Sequence, residues 1–239
     1  MTVTAVIASG LSAEAKNTLK SYNIDILDFG INPSLDKNVA FHSDLSFLTD
    51  GKDTLFIANE MIQYKSVLKN YFENIIVIPE KLGKKYPADV ALNCVVIGNS
   101  LICNVDTVSS VVLEYFKENQ FRIIDVRQGY TKCSVIPVAD NAIITDDPSV
   151  ASVGKENGFD VLFISKGSVN LAGYGYGFIG GASGIISDDV IAFCGDINSH
   201  KDSAQILGFL KKYNITALSL DNRQLYDIGS IIPLFGGLS

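Results

Sequence analysis

The sequence predicts a single α/β domain built as a five-fold pseudosymmetric ring, an α/β propeller of ββαβ units closed through the chain termini. Three observations predict it. A pattern of two short strands, a helix and a third strand recurs along the chain. The recurrences begin near positions 42, 93, 133, 180 and 229, roughly 40–50 residues apart. The last is complete only when residues 229 onward are continued into residues 1–40. One such unit cannot cover both faces of its sheet, so units arranged about an axis, helices outside and strands inside, give a shared core. A chain of 239 residues, 47% hydrophobic, is long enough to bury it as one domain spanning 1–239.

The unit opening at His42, "HSDLSFLTDGKDTLFIANEMIQYKSVLKNYFENIIVI", supplies two β-rich runs, a helix near 60–71 and a closing strand. The next opens at Asn93 and turns at Gly98-Asn99-Ser100; Val108, Val111, Val112, Tyr115 and Phe116 then recur at helical spacing. The third opens at Cys133 and turns at Asp140-Asn141; Asp147 is the N-cap with Pro148 at the first helical position, and Gly158 is the stop. The fourth opens at Gly180 with a helix near 202–213. The fifth opens at Gly229 with "DIGSIIPLF" and finishes with "TAVIASGLSAEAKNTLKSYNIDILDF". On such a ring the opening residues of all units meet at the axis, which makes the axis the place to look for function.

Composition narrows the functions. A net charge of −7 with no basic run gives no electrostatic footprint for nucleic acid or an anionic membrane surface. No stretch of about 18 apolar residues occurs, and the N-terminus lacks a basic flank with an apolar core, so the expectation is a soluble, cytoplasmic protein. Cys94, Cys103, Cys133 and Cys194 show no C-x-x-C spacing, and His42 and His200 lie far from them, so no metal site is signalled. Each cysteine reads first as a small buried apolar residue, and Cys94 and Cys103, flanking one hairpin turn, suit that reading.

Three motifs separate Cys133 from the others. "HSD" at 42–44 resembles the His-x-Asp of the pentein superfamily, the guanidino-group modifying enzymes that include arginine deiminase, dimethylargininase and the amidinotransferases. "GYTKCSV" at 129–135 is similar to the lead-in to the nucleophilic cysteine of those enzymes. "IGGAS" at 179–183 resembles their Glu-Gly-Gly-Asp, with Ile179 standing where the catalytic acid belongs. The order of histidine, cysteine and Gly-Gly doublet around the ring agrees with the enzymes, as a circularly shifted version whose termini are cut at a different unit boundary. The resemblance covers the chain at the level of the unit plan and is that of a small bacterial member.

The resemblance implies a cysteine-dependent hydrolase or amidinotransferase-like enzyme acting on a small guanidino or amidino compound through a covalent thiouronium, with no cofactor and no metal. Cys133 attacks the central guanidinium carbon if its pKa is lowered by the substrate cation, a histidine or Lys132. His42 protonates the departing amine and then activates water or an acceptor amine. Asp44, two residues on and expected on the same strand face, holds the planar cation. Asn93, Lys132, Ser183 and Asp227 complete the expected binding set, Ser183 and Asp227 compensating for the missing acid. Each residue keeps a plainer alternative: His42 as a bonded junction residue, Asp44 as a turn cap, Cys133 as packing. The matching function is a catalytically silent ring that binds a metabolite or a protein partner, as a ribosome anti-association factor of related fold does. Oligomerisation is compatible with either reading.

Two further patterns are set aside. His200-Lys-Asp202 repeats His-x-Asp, but "NSHKDSAQIL" reads as a helix start capped by Asn198 or Ser199. "GYGFIG" at 175–180 fits G-x-G-x-x-G without the strand before and helix after that a dinucleotide site needs. The run around it reads as a mobile loop bringing Tyr174 and Tyr176 to the mouth of the axial site.

Overall fold

A computed structural model describes residues 3–235 and resolves them into five three-stranded sheets. In chain order the elements are β1 (Val3–Ile7), α1 (Ala13–Ser21), β2 (Asp25–Leu27), β3 (Phe47–Thr49), β4 (Thr54–Ile57), α2 (Lys65–Leu68) and β5 (Asn74–Val77). There follow β6 (Val95–Ile97), β7 (Ser100–Cys103), α3 (Ser110–Glu118), β8 (Arg122–Asp125), α4 (Thr131–Ser134), β9 (Val135–Ala139), β10 (Ala142–Thr145), α5 (Pro148–Glu156) and β11 (Asp160–Phe163). The chain ends with β12 (Ser183–Ser187), β13 (Val190–Phe193), α6 (Ser203–Lys212), β14 (Thr216–Ser219) and β15 (Ile232–Phe235).

Every sheet has one plan: an antiparallel hairpin, then a third strand parallel to the second, reached through the helical connection that parallel pairing requires. β15 and β1 form the fifth hairpin, pairing Val3 with Phe235 and Ile7 with Ile232, and β2 lies parallel to β1. The ring therefore closes across its termini as the repeat predicts.

Burial falls from axis to rim. The middle strands β4, β7 and β10 are buried at every position, and the third strands β5, β8, β11 and β14 each expose at least one residue. That is why the middle strands read as unbroken apolar runs without alternation. The first strands of neighbouring units touch, β6 beside β9 and β12 beside β15, which makes the axis a packed wall of short strands.

The local signals act where they were read. Asp147 accepts hydrogen bonds from Ser149 N and Val150 N with Pro148 at the first helical position, so α5 starts there. Ser12 caps α1 in the same way through Ala15 N. Two helix expectations are corrected. The segment expected as one helix near 60–71 is a 3-10 helix over Asn59–Tyr64 followed by a single α-turn, because Asn59 to Tyr64 present no sustained 3.6-residue apolar stripe. α6 begins at Ser203 after Asp202, not after Asn198 or Ser199, which lie in a separate 3-10 turn where the Asp196 side chain accepts from Asn198 N. His200 is used structurally: its Nδ1 accepts from Asp202 N at 3.0 Å, while Asp202 Oδ2 accepts from Ser165 N. Among the described residues no helix is long and apolar enough to cross a membrane.

Candidate active site

Residues 42–45 turn and do not extend. His42 has extended backbone angles and precedes a 3-10 turn over Ser43–Leu45, so Asp44 is not on a strand face with His42 as its i, i+2 spacing suggested. The turn is held from across the ring, since Asp44 N donates to Gly229 O at 3.0 Å. The consequence is a division of labour. His42 lines one cavity, and Asp44 lines a second.

Cys133 also sits on a turn. It lies in the one-turn helix α4 ahead of β9, where a hairpin strand was expected. Its amide donates to Asn93 Oδ1 at 3.2 Å, and Asn93 Nδ2 donates back to Sγ at 3.2 Å and to the carbonyl of Asp44. The thiol donates to Asp44 Oδ2 at 3.1 Å. Asn93 thus fixes Cys133 against Asp44 across three units of the ring. His42, Asp44 and Cys133 bring ligand atoms within 4.8 Å of one another, all three side chains buried, and are a donor set able to hold a metal ion that their sequence spacing did not signal.

The Gly-Gly doublet explains itself sterically. A Cβ on Gly180 would fall on the carbonyl oxygens of Lys132, Cys133 and Val135, and one on Gly181 would fall on the Asp227 carboxylate. Ile179, in the place of the expected acid, is packed into the apolar core at 1% exposure. The acid near the imidazole is Asp227: its Oδ1 lies 3.8 Å from His42 Nδ1, and its two oxygens accept from Gly229 N and Phe178 N at 2.9 Å. Ser183 is not brought to the thiol; it lines the cavity on Asp44's side, its Oγ directed to Gly180 O at 3.3 Å.

Sequence reading missed Ser230. Its Oγ donates to Asp44 Oδ2 at 2.7 Å and accepts from Lys132 Nζ at 3.0 Å, joining the lysine to the carboxylate in the middle of the axis. It does so from a left-handed backbone, φ +68°, directly after Gly229 at φ +71°. The available signal was Gly229, since glycine ahead of a strand marks unusual backbone. Lys132 and Asp44 of this hydrogen-bonded chain line the cavity on Asp44's side.

Burial sets the charges. The His42 imidazole is pushed down to about 4 by desolvation, only partly opposed by Asp44, and is neutral at pH 7. The Cys133 thiol is pushed well up, first by desolvation and then by the charges of Asp44 and Asp227, so neither Lys132 nor His42 brings it down in the free protein. Asp227 is raised to about 6 by burial despite its two backbone donors and Lys132. Lys132 is shifted down by burial, against the pull of Asp44, Cys133 and Asp227. His42 Nε2 and Asp44 Oδ1 are buried without a hydrogen-bond partner, so each retains capacity for a ligand group. Lys132, held on Ser230, is the cation that acts on both carboxylates.

The cavity on His42's side has a volume of about 300 Å³ and is walled by Val39, Leu45, Tyr130, Leu171, Tyr174, Tyr176 and Phe178 around His42, Cys133 and Asp227. Tyr174 and Tyr176 reach it on the loop before Phe178, where the sequence placed them. That loop runs into the core and the Gly180–Gly181 turn and makes no helix after it, so it has no dinucleotide architecture.

Comparison with known proteins agrees with this fold. Residues 6–232 match the model of a family of unknown function, DUF6873. No protein of curated function matches the sequence. Among solved structures, a substrate-bound agmatine deiminase of C. jejuni is 12% identical with a TM-score of 0.59, covering 100% of this chain and 95% of its own. The DDAH of Pseudomonas aeruginosa in complex with citrulline is 8% identical, TM-score 0.54, covering 92% of this chain and 93% of its own. An inosamine-phosphate amidinotransferase of Streptomyces griseus is 12% identical, TM-score 0.53, covering 94% of this chain and 79% of its own. At such identities the likeness is one of fold, and that fold is the pentein ring.

Proposed function

From the premise that the chain belongs to the DUF6873 family and has the pentein ring, we propose that it is a cysteine-dependent hydrolase or amidinotransferase-like enzyme acting on a small guanidino or amidino compound. The observation that carries the reading is the meeting of ligand atoms of Cys133, His42 and Asp44 within 4.8 Å, drawn from two units of the ring, with His42 and Cys133 lining one cavity. Solved neighbours of the ring include a deiminase and an amidinotransferase, whose chemistry suits such a set.

The electrostatics favour a cationic ligand. Burial, then the charges of Asp44 and Asp227, hold the thiol in its protonated form, so a guanidinium placed between the carboxylates offsets their share of the raised pKa and eases loss of the thiol proton. Sulfur then bonds to the central carbon as its proton passes to His42 Nε2, the buried nitrogen without a partner. The imidazolium returns that proton to the departing nitrogen as the C–N bond breaks, leaving a thiouronium on Cys133. Neutral His42 next takes a proton from water, or from an acceptor amine, as that oxygen or nitrogen bonds to the carbon and the sulfur leaves. The net reaction is loss of an amine and gain of a carbonyl oxygen, or exchange of one amine for another. Asp227, 3.8 Å from Nδ1, stabilises the transient imidazolium in the role that Ile179 cannot fill.

A catalytically silent ring that binds a partner or a metabolite is the alternative, favoured by Ile179 in the core. The two readings separate on reactivity. In the enzyme, 2-chloroacetamidine alkylates Cys133 faster than Cys94, Cys103 or Cys194, and Cys133→Ala abolishes ammonia or ureido product across a guanidine panel. Uniformly slow alkylation of the four buried thiols, with no product from any guanidine, supports the silent ring.

A further inference from the structure

Resting on the guanidine reading of the site, we propose that the cavity above Cys133 selects guanidines whose far end carries no carboxylate, and that Tyr130, Tyr174, Tyr176 and Phe178 are the specificity-determining wall. The mouth of the cavity is aliphatic and aromatic, and its lining side chains include, among the described residues, no lysine or arginine. The nearest buried cation, Lys132, lines the other cavity and is tied to Ser230. A carboxylate is recognised by a guanidinium fork or an ammonium, and the wall has no side chain that supplies either.

Charge behind the wall works in the same direction. Asp89 is 4% exposed; its Oδ2 accepts from the Tyr130 hydroxyl at 2.8 Å and its Oδ1 is buried without a partner. Asp36 and Asp89 both act electrostatically on Tyr174, so negative charge lies beside the aromatic wall. A distal carboxylate meets these like charges, while an amine or an uncharged group does not.

The aromatic geometry gives the chain of the substrate a surface. Tyr130 and Phe178 are nearly parallel, with centroids 6.1 Å apart and an interplanar angle of 28°, and Tyr176 meets Phe178 edge-on at 6.2 Å. Tyr174 and Tyr176 are 51% and 40% exposed at the rim. Such faces bind aliphatic stems and attract cations by their quadrupoles.

The test compares four compounds sharing the guanidine and differing at the other end: agmatine, arginine amide, arginine and 4-guanidinobutyrate. Turnover is read as ammonia and ureido product, and binding as protection of Cys133 from 2-chloroacetamidine. Agmatine and arginine amide are expected to exceed arginine and 4-guanidinobutyrate by at least about tenfold in kcat/KM and in protection, the scale of a desolvated like-charge contact. Tyr176→Arg, at an exposed position, is expected to narrow that ratio by raising the two carboxylates. Equal or better use of 4-guanidinobutyrate by the parent overturns this inference and leaves the guanidine reading intact. Labelling of Cys133 with neither turnover of nor protection by any of the four overturns both.

Discussion

Ser230 keeps a left-handed backbone while its hydroxyl bridges Lys132 and Asp44, so side-chain chemistry and backbone strain can be separated by substitution. Ser230→Ala and Ser230→Gly both lose the hydroxyl, but only alanine keeps a Cβ at positive φ; in urea unfolding the alanine variant is expected to be less stable than the glycine variant by about 1 kcal/mol. Asp227 and His42 offset one another as pH changes. His42 is about 4 when folded against 6.5, so its contribution is present above 6.5 and lost as pH falls through 4. Asp227 is about 6 when folded against 3.8, so its contribution is present below 3.8 and lost as pH rises through 6. Asp227→Asn removes the second term alone. Between pH 6 and 4 the variant is therefore expected to lose stability relative to the parent, by up to about 3 kcal/mol at 1.4 kcal/mol per pH unit, read from denaturation midpoints at several pH values. His42, Asp44 and Cys133 were legible in the sequence because their motifs are local. Ser230 was not, because its partner Asp44 lies 186 positions away and the conformation that joins them leaves only a neighbouring glycine as its trace.

The turns at the strand entrances position the chemistry, and their glycines have steric work that the strands do not. Gly180→Ala is expected to destabilise more than Gly181→Ala, since the first collides with three backbone carbonyls and the second with one carboxylate that can move. Both belong with overpacking substitutions, about 1–3 kcal/mol, and Gly181→Ala should also displace Asp227, read as a shift in the His42 titration by NMR. Gly208 gives the contrast: it is exposed in α6 with open space where a Cβ would stand, so Gly208→Ala should stabilise by about 0.5–1 kcal/mol in the same urea unfolding measurement. Hairpins and helices were legible through turn residues and caps such as Asp140-Asn141 and Asp147-Pro148. The 3-10 turns at 43–45 and 59–64 were not, because a turn of three to six residues has no period to detect, and α4 is a single turn of helix whose form depends on Asn93 and Gly181 holding it from outside.

At the scale of the whole molecule the ring was legible because each sheet needs its neighbours, so five weak repeats support one another where any single one would not. The seam between β1 and β15 then has a mechanical consequence. Val3 and Phe235 are opposite each other at one end of that ladder, and Ile7 and Ile232 at the other. Tension applied between residues 3 and 235 loads the backbone bonds one after another, like opening a zip, whereas parallel strands pulled at opposite ends share the load. Optical-tweezers extension from these positions is expected to begin with low-force release of β15. The next residues to leave are Ser230, Gly229 and Asp227, so the pulled molecule should stop protecting its thiol while the other four sheets still resist.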